Sequence, residues 1–203
     1  MGKVLKSPEA LLGPLPAILV SCGTVDKPNV MTASWTGIMN SQPPMTYVSI
    51  RPGRRSHQLI KETGEFVLNI VDEAHLNALD LCGQISGNDV EKFKIAKLTP
   101  KACEHVVAPQ IAECPISIEC KVHSINCLGS HDKFLAEIVG IYIKKSYLDK
   151  KGQIDPSKAD FITYMNGHYF AMGDCLGRFG LSLTNNNDNK SSPNTSKKET
   201  DSH

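Results

Sequence analysis

Short apolar runs, each ended by Gly, Pro or Asn, constrain the fold of this 203-residue chain more than any other feature. The runs at 17–22, 30–35, 46–50 and 66–71 have the length and composition of strands. Residues 116–123 alternate apolar and polar side chains, which predicts a strand that buries only one of its faces. Residues 134–143 are apolar on both faces, as in a central strand or in one covered by a second subunit.

Helical segments are fewer and shorter. Ser56 can cap a helix over 57–62, and Gly64 stands near the end of that helix. Residues 73–82 and 89–96 also fit helices. Many short strands with two or three interposed helices favour a barrel over a doubly wound sheet, so the predicted fold is mainly β. No GxGxxG motif opens a βαβ unit, which argues against a doubly wound dinucleotide-binding domain.

Composition predicts one domain over residues 1–180, followed by a tail. Residues 181–203 are polar and low in complexity, so we expect that segment to be disordered. The formal net charge of +1 provides no overall positive field for binding nucleic acid or a membrane surface. No run reaches the roughly 18 apolar residues that a membrane-spanning helix needs, so we predict a soluble cytoplasmic protein.

The seven cysteines predict neither a zinc ribbon nor a redox dithiol, because no two of them form a CxxC pair. Cys120 and His123 lie an odd number of positions apart on a predicted strand, so they face opposite sides and make a poor pair of metal ligands. We therefore expect mostly buried free thiols in a reducing compartment, and no metal site.

A cationic turn, Arg-Pro-Gly-Arg-Arg at 51–55, carries the main functional signal. Free backbone N–H groups at a helix start, together with guanidinium donors, form a site for a phosphate. The GxxxxGK[ST] and GxSxG motifs are absent. A phosphate anchor in a barrel-like chain fits flavin mononucleotide, FMN, better than it fits a metal or an acyl intermediate.

Ordered landmarks over roughly residues 10–181 resemble the flavin reductase-like family, and its flavoredoxin branch in particular. These landmarks are VMTASW at 30–35, PP at 43–44, VSIR at 48–51, GEFVLN at 64–69, KF at 92–93, GSHD at 129–132, Tyr169 and LGRFG at 176–180. The resemblance implies an FMN-binding split β-barrel that works as a homodimer, with flavin bound near the subunit interface.

The same resemblance implies which residues bind the cofactor. The segment that lines the flavin matches Thr32, Ala33, Ser34 and Trp35. The next strand end, against the ring and the ribityl chain, matches Ser49, Ile50 and Arg51. The turn around the phosphate matches Arg55, Ser56 and His57. Backbone N–H groups of 32–35 could then hydrogen-bond the pyrimidine edge of the flavin.

His131 is the implied catalytic residue, because an imidazole there could orient a nicotinamide or relay a proton near neutral pH. Relatives frequently carry Asp where this chain has Ser130, which changes the polarity around His131. The alternative for His131 is a histidine at the interface with a partner. Trp35 fits the core as well as it fits a flavin contact, and Arg54 fits a solvated turn. His57 and Asn69 fit structural roles too, Asn69 by satisfying nearby backbone.

Three functions are compatible with these residues. The resemblance implies an oxidoreductase that transfers hydride or electrons between flavin and either a reduced nicotinamide, NAD(P)H, or a redox protein partner. A non-catalytic FMN-binding module for storage or sensing is the alternative. Contact between the 51–55 turn and nucleic acid is a third hypothesis. The near-neutral net charge and the lack of aromatic residues among the basic ones count against it.

Overall fold

The computed structural model describes residues 2–177 and 179–183, and the chain divides into two units, residues 1–173 and 174–203. The first unit holds every strand and α-helix of the described residues. In the second unit, a 3₁₀ turn spans Leu181–Leu183. From residue 184 onward, the predicted disordered tail lies outside the described residues.

The first unit is mainly β with three short helices, which confirms the predicted fold class. Its strands are β1 Leu15–Pro16, β2 Ile18–Gly23, β3 Pro28–Ala33, β4 Thr36–Ser41, β5 Pro44–Ile50, β6 Glu65–Ile70, β7 Pro100–Lys101, β8 Gln110–Ile111, β9 Ile116–Cys127, β10 Asp132–Ile143, β11 Ile162–Met165 and β12 His168–Ala171. Its helices are α1 Arg55–Thr63, α2 Leu76–Gln84 and α3 Lys92–Ile95.

Seven strands form one antiparallel sheet in the order β3-β2-β6-β9-β10-β5-β4. The predicted central strand over 134–143 is confirmed, because β10 lies between β9 and β5. Its pairing with β9 shifts register between Leu135 and Ala136 and again between Ile138 and Gly140. Such bulges bend a strand and increase its twist, so they curve the sheet at its longest pair of strands.

Both faces of the sheet carry apolar clusters, and β2 shows why. Ile18, Val20 and Cys22 contribute to one cluster, around Phe66 and Phe134. The alternate residue Leu19 joins the other cluster, under α2 and α3. Successive side chains of a strand point to opposite faces, so a strand buried along its whole length must be covered twice.

The strand predicted over 116–123 exists as part of β9, but the expectation that one face of it stays exposed is wrong for its first half. Ser117 and Glu119 are both buried. The segment that leads into β8 covers this face, and the Glu119 carboxylate accepts hydrogen bonds from the backbone N–H of His105 at 2.7 Å and of Glu104 at 3.4 Å. A buried carboxylate in a strand therefore holds a covering loop in place.

Asn69 lies at the centre of a buried hydrogen-bond network that joins four segments. Its Nδ2 donates to Leu19 O at 3.2 Å and to Ser21 Oγ at 2.8 Å. Its Oδ1 accepts from the backbone N–H of Ile111 at 3.0 Å and from Ser117 Oγ at 2.8 Å. The side chain is fully buried. Asn69 thus has the structural role that the sequence left open.

Replacing Asn69 with Ala should lower the free energy of unfolding by about 2 kcal/mol, because it leaves buried donors and acceptors without partners. Urea denaturation followed by circular dichroism measures this difference. Asn88→Ala, at an exposed asparagine, is the matched control and should change stability little. Equal stability of the Asn69→Ala variant and the native protein would show that the network contributes nothing.

Helix α1 begins two residues before the prediction of 57–62, and this shift removes Ser56 from the capping position. The N-cap is Arg54, in an extended conformation with φ −78° and ψ 138°. Ser56 therefore lies in the first turn, faces inward and accepts a hydrogen bond from Asn29 Nδ2 at 2.7 Å. Gly64 ends the helix at φ 71°, and its N–H donates to Ile60 O, as the sequence predicts.

The other two predicted helices are present with changed bounds. The segment predicted over 73–82 begins with a 3₁₀ turn, Glu73–His75, before α2. The segment predicted over 89–96 contains only the single turn α3. Both helices pack on β3 and so cover one side of the strand that leads into the candidate site.

Candidate functional site

A cavity of about 160 Å³ lies where the end of β3, the end of β5 and the 51–55 turn meet. We call it the cationic cavity. Its lining residues are Met31, Thr32, Ala33, Ser34, Trp35, Ser49, Arg51, Arg54 and His131. Seven of the eleven residues predicted to act at the site, Thr32, Ala33, Ser34, Trp35, Ser49, Arg51 and His131, are among them.

The backbone at the end of β3 is fixed by its own hydrogen bonds. Ser49 N–H donates to Trp35 O at 2.9 Å, and Thr36 N–H donates to Ser34 O at 3.1 Å. The Thr32 hydroxyl donates to Leu79 O of α2. That hydroxyl is therefore engaged inside the protein, which leaves the backbone of this segment and the Ser34 hydroxyl to serve a ligand.

The 51–55 turn presents two guanidinium groups to the cationic cavity. Arg54 N–H donates to Arg51 O at 3.0 Å, which closes the turn and brings these two side chains to one side of it. Arg55 faces elsewhere: its Nη1 donates to Gln58 Oε1 at 3.1 Å, and it lines a different cavity. Two exposed arginines three residues apart can contact one anionic group together.

His131 and Trp35 form the opposite wall. Their ring centroids are 4.6 Å apart, with an angle of 35° between the planes. Trp35 keeps 40% of its surface exposed, so it is a wall residue rather than a core residue. His131 Nδ1 lies 3.0 Å from Ser130 Oγ. The imidazole thus keeps a polar neighbour on its Nδ1 side.

The charge state of His131 follows from its surroundings. Partial burial, and then the nearby charge of Arg51, lower the pKa of His131 below its ordinary value of 6.5. Both effects disfavour the imidazolium form. His131 is therefore neutral at neutral pH and can accept a proton there.

Three predicted residues lie away from the cationic cavity, in the interior of the protein. Ile50 is fully buried in the main apolar cluster. Ser56 is 1% exposed and bonded to Asn29. His57 is buried, and its Nε2 lies 2.8 Å from Asp132 Oδ2. His57 therefore fits the structural role that the sequence also allowed, because its pair with Asp132 joins α1 to the start of β10.

The His57 hydrogen bond holds the pKa of the Asp132 carboxyl below its ordinary value. An acid with a lowered pKa stabilises the folded state above its unfolded pKa of about 3.9, and this contribution is lost as the pH falls through the folded-state pKa. Asp132→Asn should therefore flatten the loss of stability below about pH 4.

Thermal unfolding as a function of pH measures this effect. The exposed Asp89→Asn variant is the control and should keep the native pH dependence. The interpretation fails if Asp132→Asn retains the native loss of stability in acid.

Two lining residues were not among the site residues that the sequence predicted. Met31 belongs to an ordinary buried strand, and nothing in its residue type distinguishes it. The sequence places Arg54 on a solvated turn, although its spacing from Arg51 is the one that a closed turn brings together. The turn spacing was thus the available signal for Arg54.

The cationic cavity alone is smaller than the roughly 300–1,000 Å³ of pockets that enclose a whole small-molecule ligand. A neighbouring cavity of about 390 Å³ shares Trp35 and Ser49 with it and adds Tyr47, Leu15 and residues 9–12. Together the two cavities reach that size range. One offers guanidinium groups and the other aromatic and apolar walls, so the pair suits a ligand with an anionic end and a flat ring.

Within the part of the chain that the structure describes, no group of three His, Cys, Asp or Glu residues could hold a metal ion. All seven cysteines are free, and Cys22, Cys82, Cys114 and Cys120 are buried, as predicted for most of them. Across the described ranges, no helix combines the length and apolar character needed to cross a membrane.

Comparison with known proteins identifies the family of this chain. Residues 13–173 match the family model described as the flavin reductase like domain. The chain belongs to the flavin reductase like family. The structure of a flavoredoxin of Desulfovibrio vulgaris (Miyazaki F) is similar to this family member with a TM-score of 0.83 and 34% identity, over 90% of this chain and 100% of that one.

Two further structures extend the comparison. A flavoredoxin from Methanosarcina acetivorans has a TM-score of 0.82 and 27% identity, over 90% of this chain and 100% of its own. A Shewanella frigidimarina protein with a split barrel domain has a TM-score of 0.74 and 23% identity, over 82% of this chain and 85% of its own. The fold of this flavin reductase like protein is therefore a split barrel, as predicted.

Proposed function

We propose that this protein is an FMN-binding oxidoreductase that transfers hydride or electrons between flavin and a reduced nicotinamide or redox protein partner. The observation that carries the proposal is the convergence of Arg51, Arg54, the backbone of 31–35 and the Trp35–His131 pair on one cavity. Membership of the flavin reductase like family supports it.

The residues present fit FMN by their chemistry. Arg51 and Arg54 would hold the phosphate, because guanidinium groups bind phosphate oxygens through charge-assisted hydrogen bonds. The backbone at the end of β3 would meet the polar edge of the ring, and Trp35 with Tyr47 would supply flat apolar contact. When bound, flavin supplies the capacity to accept and donate electrons, singly or as hydride.

His131 is the residue that we assign to proton handling or to orientation of the electron donor. Its Nδ1 has Ser130 Oγ as a neighbour, so Nε2 is the nitrogen left to accept or release a proton. Because burial and Arg51 lower its pKa, the ring is in its accepting form at neutral pH. Trp35 packs against the imidazole, with the two ring centroids 4.6 Å apart, and so helps to fix its orientation.

Reduction of the bound flavin tests this function. We expect the yellow absorbance of the FMN-loaded protein to bleach, without oxygen, when NADH or NADPH is added; this result identifies a reductase. Bleaching only by a reduced redox protein would instead identify an electron carrier. A flavin that neither class of donor reduces would contradict the proposal and favour storage or sensing of FMN.

We also propose that the protein forms a homodimer. Strand β4 starts directly after Trp35 and exposes Ile38 and Met39, which keep 75% and 49% of their surface open. Adjacent apolar side chains on a strand next to a candidate site fit burial by a second copy of this chain. Light scattering on the eluting protein should give twice the 22.2 kDa mass of one chain. A mass of one chain at all concentrations would contradict the dimer.

A further inference from the structure

His57 and Asp132 form a buried pair close to the cationic cavity, although neither residue lines that cavity. His57 Nε2 lies 2.8 Å from Asp132 Oδ2. The contact joins the first turn of α1 to the first residue of β10. A buried carboxylate is stable in the interior only when a hydrogen-bond donor satisfies it, so this pair fixes the helix and the strand to each other.

Asp132 lies at the point of the sheet from which two residues of the cationic cavity extend. It pairs with Ile50 of β5 on one side and with Cys127 of β9 on the other, and we call these three paired residues the Asp132 row. Arg51 directly follows Ile50, and His131 directly precedes Asp132. Because neighbouring strands are about 4.8 Å apart, the Asp132 row sets the spacing between the backbones of Arg51 and His131.

The other member of the pair belongs to the helix that begins at the cationic turn. Helix α1 starts at Arg55, one residue after Arg54, and His57 is its third residue. The His57 ring also packs edge-on against Phe134 of β10, with the ring centroids 5.1 Å apart. A hydrogen bond and a ring contact therefore tie the start of α1, and Arg54 with it, to the Asp132 row.

The connection that carries His131 extends beyond this tie into solvent. Residues 128–130 are exposed. A backbone hydrogen bond from Leu128 N–H to His131 O, at 3.1 Å, closes the connection. Exposed connections are more mobile than the strands they join. The position of the His131 imidazole, and its contact with Trp35, therefore depends on how firmly the Asp132 row is held.

We propose that His57 and Asp132 are positioning residues, whose buried hydrogen bond sets the place of the His131 imidazole relative to the cationic turn and Trp35. This proposal rests on the proposed function, because it concerns the placement of the residue that we assign to proton handling or donor orientation. Without the hydrogen bond, α1 and the end of the sheet move independently. A displacement of about 1 Å at a reacting group can cost up to about 100-fold in rate, so the pair affects the reaction without touching flavin or donor.

The fluorescence of Trp35, the only tryptophan of the chain, tests this placement in the protein without flavin. An imidazolium quenches a neighbouring indole, and the Trp35 and His131 rings are in contact. Native fluorescence should fall as His131 is protonated below pH 6.5, since partial burial and Arg51 lower its pKa. His131→Ala should abolish this pH-dependent step, which assigns the step to His131.

Variants of the pair should change this fluorescence step in a defined pattern. Asp132→Ala and His57→Phe should each lose most of the step, because the imidazole no longer stays beside Trp35. His57→Phe keeps a ring against Phe134, so it removes the hydrogen bond with little loss of packing. Asp132→Asn should retain the step, since its amide can hydrogen-bond either tautomer of His57.

Glu137→Ala is the matched control, because it removes an exposed carboxylate from the same strand, and it should keep the full step. Circular dichroism identifies the variants that are folded at each pH. A full fluorescence step in folded Asp132→Ala or folded His57→Phe overturns the proposal.

The rate of flavin reduction then shows whether the placement serves the reaction. At saturating FMN and donor, Asp132→Ala and His57→Phe should each slow reduction about tenfold and change FMN affinity less than about twofold. The double variant should be no slower than either single variant, because the two residues act as one unit. Adding Asp132→Ala to His131→Ala should cause no further slowing, because the pair acts through His131.

Two kinetic results would contradict the positioning role: native rates in the folded single variants, or a further tenfold slowing when Asp132→Ala is added to His131→Ala. A native protein whose bound flavin no donor reduces would refute the proposed function instead. The fluorescence step, measured without flavin, would still decide whether the pair positions His131.

Discussion

Replacing Arg51 with Ala should weaken FMN binding roughly 50-fold and riboflavin binding less than threefold, because only FMN carries a phosphate for the guanidinium to hold. Arg51 lies on the cationic cavity and belongs to the closed turn that also presents Arg54. Quenching of flavin fluorescence on binding gives both dissociation constants.

Arg54→Ala should act in the same direction, since both arginines line one cavity. Lys61→Ala is the control for removing a positive charge from this region, and it should leave the ratio of the two affinities unchanged. Salt should also weaken FMN more than riboflavin, because exposed charges are screened. Equal weakening of FMN and riboflavin by Arg51→Ala would remove Arg51 from the phosphate site.

Replacing His131 with Ala should slow reduction of the bound flavin by about 100-fold, at the lower end of what a positioned acid–base group contributes. Flavin affinity should change little, because the anionic end of the ligand lies at the arginines. Stopped-flow absorbance measures the rate, and a flavin titration measures occupancy. Loss of flavin without loss of rate per bound flavin would make His131 a binding residue.

The pH dependence of that rate separates proton handling from simple packing. If neutral His131 is required, the rate falls with the pH below the lowered pKa of His131, which lies under 6.5. Removing the Arg51 charge favours the imidazolium, so Arg51→Ala should shift this fall to higher pH at saturating flavin. His123→Ala, at an exposed histidine on β9, should change neither rate nor pH profile. An unchanged profile in Arg51→Ala would contradict the assigned coupling.

Local sequence patterns predicted the main strands because burial requires apolar side chains. Strands β2, β5, β6 and β10 follow apolar runs that the core requires. Strand β4 has no such pattern: its sequence TGIMNS contains Gly, Asn and Ser, and most of it is exposed. It is a strand because it pairs with β5 across a short connection, which a pattern of burial does not reveal.

The site was less predictable, since its details depend on contacts distant in sequence. A helix start two residues earlier turns Ser56 inward to Asn29, and it leaves Arg55 lining a cavity other than the cationic cavity. The partner of His57 is Asp132, 75 positions away. The family resemblance identified the segments that meet, but only the fold shows which side chain of each segment faces the cavity.

The central claim is that the cationic cavity and its neighbour across Trp35 hold flavin, and Trp35 offers a direct measurement. It is the only tryptophan of the chain, and it lines both cavities. Titrating the full-length protein with FMN should quench its tryptophan fluorescence saturably, at one FMN per chain. Tryptophan fluorescence that does not change as FMN binds, or a protein that binds no FMN at all, would contradict this account.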